Sequence, residues 1–158
     1  MVSRSFGAGL ALAGAAVAAT AVLGGRFTAL GIGPWYDGLV KPGWTPPGRV
    51  IGAVWTVLYI LIAFASARVW SKAGAAPLAY AGVLVTNLAL NAGWCYVFFA
   101  ARRPAAALIE IGILWATCLA LVVLAARVST VAAWLLAPYA AWVAFAAFLN
   151  WNVVKLNG

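Results

Sequence analysis

The chain alternates between long apolar runs and single or paired basic residues. Charge is absent from residues 5–25, 50–67, 73–101 and 128–154, and Glu110 alone interrupts the run 104–126. Each run has about the length, roughly 18 to 25 residues, that crosses the hydrocarbon core of a bilayer as a helix. The pattern predicts helices over about 5–25, 47–70, 77–101, 104–126 and 130–155, with one long loop, 26–46, between the first two. Pro47, Pro77 and Pro104 stand where a first turn loses no hydrogen bond to proline. Ser129 and Thr130 offer a start for the fifth span, and Pro138 inside it predicts a kink or a locally opened backbone. The connections SKAGAA and ARR are so short that consecutive spans must run antiparallel. The expected architecture is an all-α membrane protein, one domain over residues 1–158 forming a compact bundle of five transmembrane helices.

The N-terminal segment has a positive start, an apolar middle and a small-residue end, the outline of a cleaved signal peptide. Its apolar run nevertheless reaches the length of a full span. Gly7, Ala11, Gly14 and Ala18 recur at a spacing suited to close helix packing, so it is read as the first transmembrane helix.

Composition agrees with the pattern: 67% of residues are hydrophobic and 8% charged, against roughly half and a quarter in soluble domains. The net charge of +8 comes from ten basic residues scattered at the ends of the runs, with no stripe to follow a phosphate backbone. Nucleic acid is therefore not expected as a partner. These residues instead resemble headgroup anchors. Arg4, Arg68, Lys72 and Arg127 fall on one side and Arg26, Lys41, Arg49, Arg102, Arg103 and Lys155 on the other. The excess favours a cytoplasmic loop and C-terminus, and the membrane expected is a bacterial one. With no histidine and two cysteines, the chain offers no usual zinc site, haem ligand or imidazole base. No metal and no obligatory cofactor are expected.

Polar and aromatic residues share faces on three spans. Trp55 and Tyr59 are four apart; Asn87, Asn91, Trp94 and Phe98 form one stripe; Trp142, Ala146 and Asn150 repeat at four. Tryptophans near span ends suit interfacial belts, and asparagines can fasten helices together. Trp55, Trp94, Trp115 and Trp142 lie deeper, where a belt residue has no headgroup to reach. They suit instead the lining of a cavity for a flat hydrophobic ligand. Glu110, about two turns into its span, is either a functional intramembrane carboxylate or the partner of Arg103. The loop segment PWYDGLVKPGWTPPG, residues 34–48, holds four of the seven prolines and one of the two acidic residues, Asp37. Such stiffness loses little entropy on ordering and predicts a preformed lid, braced by Asp37.

That loop segment, Trp55 in VIGAVWTVLY, the paired asparagines of NLALNAGW and the terminal WLLAPYAAWVAFAAFLNWNV together resemble the translocator protein family, the tryptophan-rich sensory proteins or peripheral benzodiazepine receptors. The similarity runs from about Trp35 to Asn152. It implies a homodimer that binds porphyrins such as protoporphyrin IX and, in some members, sterols and benzodiazepine or isoquinoline-type drugs. Carried over by residue, the ligand site comprises Tyr36 and Pro46 from the loop, Trp55 and Tyr59, then Asn87, Asn91, Trp94 and Phe98. Ile111 and Trp115 follow from the fourth span and Trp142 and Ala146 from the fifth. The sterol-recognition pattern of some relatives needs a tyrosine that is missing before Lys155, which puts sterol binding in doubt. Ala89 and Gly93 could form a close contact between protomers.

The function expected is tetrapyrrole binding with a sensory, regulatory or transport role, in which Lys41 or Arg49 pairs with the propionates. Two alternatives stand beside it. One is an enzyme degrading porphyrin with light and oxygen, in which Trp55 and Trp142 are catalytic. The other is an ion or solute transporter using Glu110 and the asparagines.

Overall fold

The computed structural model describes residues 2–72 and 78–158, with side chains from Ser5 onward. Its helices are α1 (Val2–Gly31), the short α2 (Pro34–Gly38), α3 (Gly48–Lys72), α4 (Leu78–Cys95, continued by a π-helical turn, Tyr96–Ala100), α5 (Pro104–Ala126) and α6 (Thr130–Asn157). Five of them are long and apolar enough to cross a membrane. The protein is a multi-pass, all-helical membrane protein. Exposed Leu12, Val22, Val57, Val85, Ile109 and Val123 give the bundle the apolar outer face that hydrocarbon requires.

The long helices contact one another in the cyclic order α1, α3, α6, α5, α4 and back to α1. At the end where α3 finishes and α6 begins, the ring is filled. Val69, Tyr80, Leu121, Ala125, Ala132 and Leu136 interdigitate there, and the buried hydroxyls of Ser66 and Tyr80 meet at 3.0 Å. At the other end the ring is hollow and the loop between α1 and α3 covers it.

Several boundaries depart from the sequence pattern. The first helix runs to Gly31 rather than residue 25, because Arg26 to Leu30 contain no breaker. The break comes at Gly33, whose φ of +128° only glycine adopts easily, followed by Pro34 at the first turn of α2. The loop expected over 26–46 is thus shortened from its front. Pro47 lies just before α3, its carbonyl accepting from Val50 and Ile51. Pro77, expected to open the third span, lies outside the described residues. Pro104 begins α5, and the hydroxyl of Ser129 caps α6 by accepting from the Ala132 amide. The backbone of α6 stays helical on both sides of Pro138. The π turn at the end of α4 was not foreseen. It closes when Arg102 adopts φ +55° and the Arg103 amide reaches back to the Val97 carbonyl, 3.0 Å away.

That π turn is seated against the end of α1. A Cβ placed on Gly31 would lie 2.5 Å from the Phe99 carbonyl oxygen and 2.7 Å from its Cα, and neither backbone atom can yield. Gly31→Ala should lower stability by about 1 to 3 kcal/mol, the usual effect of overpacking. Gly14→Ala, where a Cβ would meet nothing within 4 Å, should be neutral or slightly stabilising. Paired thermal melts in detergent check both.

Candidate ligand-binding cavity

The hollow end encloses a cavity of about 480 Å³, within the range of small-molecule sites, roughly 300 to 1,000 Å³. Five helices and the lid contribute to its wall. From α3 come Trp55 and Tyr59, whose rings lie 5.4 Å apart. From α4 come Asn91, Trp94 and Phe98, the last two stacked at 5.0 Å. Ile111 lines it from α5, and Trp142 and Ala146 from α6.

The aromatic side chains are held by hydrogen bonds that cross the ring. The Tyr59 hydroxyl donates to Asn91 Oδ1 at 2.7 Å, and Asn91 Nδ2 donates to the Tyr139 hydroxyl at 3.2 Å. Tyr139 donates onward to Asn87 Oδ1 at 2.9 Å, and Asn87 Nδ2 reaches Thr117 Oγ1 at 2.9 Å and Cys118 Sγ at 3.3 Å. Each side chain of this relay, buried in apolar surroundings, thus finds a partner where no water competes. Asn150 fixes the opposite wall. It accepts from the Trp94 indole at 3.1 Å and donates to the Pro104 carbonyl at 2.9 Å. The Trp142 indole nitrogen, by contrast, is buried without a partner.

The lid is ordered and packed. Trp35 and Tyr36 of α2 lie against Phe98 and Phe99, and Trp44 stacks on Phe148 with an interplanar angle of 11°. The bracing expected of Asp37 falls to other residues, and Asp37 itself lies exposed. Lys41 donates to the carbonyls of Tyr36 and Leu39 and sits 4.4 Å from the Tyr36 ring. Asn157, at the end of α6, accepts from the Val40 amide at 2.9 Å and donates to the Val40 carbonyl at 2.8 Å. Thr45 bonds the Pro42 carbonyl, and the Arg102 guanidinium stands over the Trp35 ring. Burial, with the Asp37 charge adding to it, pushes the Tyr36 phenol above its ordinary pKa, so it meets the cavity as a neutral hydroxyl.

Not every residue singled out by sequence reaches the cavity. Tyr36, Lys41, Trp55, Tyr59, Asn91, Trp94, Phe98, Ile111, Trp142 and Ala146 line it; Pro46, Arg49, Asn87 and Trp115 do not. Asn87 shares the stripe but lies one turn deeper, fully buried as a fastener. The Trp115 indole turns outward along the bundle and donates to the Ala140 carbonyl at 3.1 Å. Glu110 makes no hydrogen bond to Arg103, which is exposed; its oxygens are buried without a partner, on the side of α5 that faces Gly93. It is not part of the cavity lining. Gly93 therefore faces this chain's own α5, whereas Ala89 lies on the outer surface. Among the described residues no three Cys, Asp or Glu side chains come together as a metal site would need.

The sequence reading overlooked the contribution of α1, including Ala21, Gly24 and Thr28, and it left Cys95, Phe99 and Phe145 unassigned. None of the α1 residues in the wall is aromatic and Thr28 alone among them is polar, which forms no stripe. Phe99 enters the wall beside Phe98 because the π turn shifts the helical register, which a 3.6-residue period does not anticipate.

A family model described as the TspO/MBR family matches residues 12–156. The chain belongs to the TspO/MBR family. It is 37% identical over 123 residues to the tryptophan-rich protein TspO of Bacillus cereus, covering 78% of this chain and 80% of that one. It is 38% identical over 136 residues to the tryptophan-rich protein TspO of Chlorobaculum tepidum, covering 85% and 86%. It is also 40% identical over 129 residues to the human translocator protein, covering 78% and 75%. The family match takes in every residue that lines the cavity, from Ala21 to Val153.

The relay through Tyr139 touches α3, α4 and α6 together. Tyr139→Phe should leave Asn87 Oδ1 and Asn91 Nδ2 each short of a partner. The expected loss is about 1 kcal/mol, since interhelical hydrogen bonds in membranes average roughly 0.6 and reach about 1.7 kcal/mol. Ser71→Ala, which removes only a bond to the Arg68 carbonyl within α3, should cost less in the same melts.

Proposed function

We propose that this family member binds a flat, hydrophobic tetrapyrrole of the protoporphyrin IX type, in a sensory, regulatory or transport role. The observation that carries the reading is a roomy cavity walled by the indole and phenyl faces of Trp55, Trp94, Phe98, Phe99 and Trp142. Aromatic faces attract a macrocycle by dispersion and offset stacking. Ionised propionates must stay near water, which favours a pose with them toward Lys41 at the lid. Sterols or benzodiazepine-type drugs are further candidates for the same apolar volume, and a homodimer is the proposed assembly.

A second reading, light- and oxygen-dependent degradation of the bound porphyrin, is favoured by the shared position of Trp55 and Trp142 in one cavity wall. Both are candidates for electron donation to an excited macrocycle in the presence of dioxygen.

Titration of purified protein with protoporphyrin IX, followed by tryptophan quenching and the Soret band, tests binding. The Trp55→Phe and Trp142→Phe double variant should lose at least tenfold in affinity, about 1.4 kcal/mol. Unchanged affinity and spectrum would remove the proposal. Illumination of the complex with and without oxygen separates the two readings: a pure binder bleaches only at the rate of free porphyrin, and an enzyme bleaches faster, with the excess abolished in the double variant.

A further inference from the structure

The residues lining the cavity are buried or half-buried on nearly every side. The exceptions are Gly25, Ala29, Ile32, Gly48, Gly52 and Thr56. All six lie on the second half of α1, just after it, or on the first turns of α3. At the filled end of the bundle these two helices touch closely: a Cβ on Gly9 would stand 3.1 Å from Trp70 Cβ and 3.3 Å from Ala67 Cα. Toward the lid α1 leans away to α4, where Gly24 meets Cys95 and Gly31 meets Phe99. The two helices therefore diverge beside the cavity. A Cβ on Gly25, Gly48 or Gly52 would meet nothing within 4 Å, so these glycines are not required for packing. What they do is leave a gap. The Thr56 hydroxyl turns back to the Gly52 carbonyl at 2.9 Å, which keeps the rim apolar.

The geometry points to a lateral window between α1 and α3, through which the ligand enters the cavity from the bilayer rather than from water. The inference rests on the cavity being a ligand site, as proposed above. At about 1.5 Å per residue, Gly25 lies roughly 9 Å from the end of α1, and Thr56 roughly 12 Å from the start of α3. Both depths face acyl chains. The water-facing side is shut by the lid, which Asn157, Lys41 and Trp44 fasten. Arg26 and Arg49, both exposed and each next to a window glycine, flank the opening, with side chains long enough to carry their guanidinium groups toward the headgroups. The occupant that suits this entrance is an amphiphile already dissolved in the leaflet, with a flat apolar body and an anionic end held by these two guanidinium groups. Arg49 thus acts outside the cavity, before the ligand enters.

Two measurements on the full chain in lipid nanodiscs test the window. In the first, stopped-flow tryptophan quenching by protoporphyrin IX is compared between the wild type, Gly25→Leu/Gly52→Leu and Asn157→Ala. The leucines fill open space on lipid-facing helix positions, where folding should tolerate them. Association and dissociation should both slow at least tenfold in the double leucine variant, and change less in Asn157→Ala. Unaltered rates in the leucine variant, or acceleration by Asn157→Ala alone, would assign entry to the lid and overturn the window. The second measurement needs no porphyrin. Lipids brominated along the acyl chain should quench wild-type tryptophan fluorescence more than that of the leucine variant, and Trp55→Phe should shrink the difference. Equal quenching overturns the window. Failure of the wild type to bind protoporphyrin would remove the proposed ligand while the lipid measurement still decides how the cavity opens.

Discussion

The hydrogen-bonded chain from Tyr59 through Asn91 and Tyr139 to Asn87 ties α3, α4 and α6 across the centre of the ring, and Asn87 extends it to α5. In a bilayer the hydrophobic effect does not discriminate between helix–helix and helix–lipid contact, so packing and polar bonds must set the arrangement of the helices. This chain of side chains lies at the floor of the cavity. Below it, aliphatic residues and alanines fill the ring; above it, the ring widens and aromatic side chains face an open volume. The division between a solid half and a hollow half is thus made at one layer of residues.

The hollow half is bounded by elements that satisfy one another's backbone. The π turn of Tyr96–Ala100 brings Phe98 and Phe99 together beneath the lid, where Trp35 and Tyr36 cover them. The same turn sits against Gly31 and draws the end of α1 toward α4. Asn157 treats Val40 as a strand partner would, pairing with both its amide and its carbonyl. The lid is consequently anchored by the last turn of the chain, and its two prolines before α3 keep the connection short and stiff. A cavity closed toward water yet bordered by diverging helices is suited to a ligand whose natural solvent is the membrane.

Much of this was legible from sequence. The positions of Arg68, Lys72, Arg102, Arg103 and Arg127 delimit the spans, and Pro104 and Ser129 mark two helix starts within a residue. The stripe of Asn91, Trp94 and Phe98 is on one face by arithmetic alone, as are Trp55 and Tyr59. The motifs of the lid, of the segment around Trp55, of NLALNAGW and of the last span together resemble the family to which the chain belongs. What could not be read was the fate of residues that obey the same periodicity but sit at a different depth. Asn87 and Asn91 are four apart and chemically identical, yet one fastens helices and the other reaches the cavity. Trp115 has the composition of a ligand residue and serves as a strap. The α1 wall, built of Gly, Ala and Thr, has no signature apart from the close-packing pattern it shares with any membrane helix.

The sequence by itself determined the number of spans, their alternating direction and the faces on which polar and aromatic residues fall. These follow from local rules: the thickness of the hydrocarbon core, the 3.6-residue period and the conformational limits of proline and glycine. Only the tertiary structure decided where the ring is solid and where it is hollow, which indole is left without a partner, and where α1 and α3 part. Those properties depend on distances between helices. Such distances are set jointly by small residues such as Gly9 and Gly31, the extra residue in one π turn and the bonds crossing the bundle, contacts between segments far apart in the chain that no periodicity encodes.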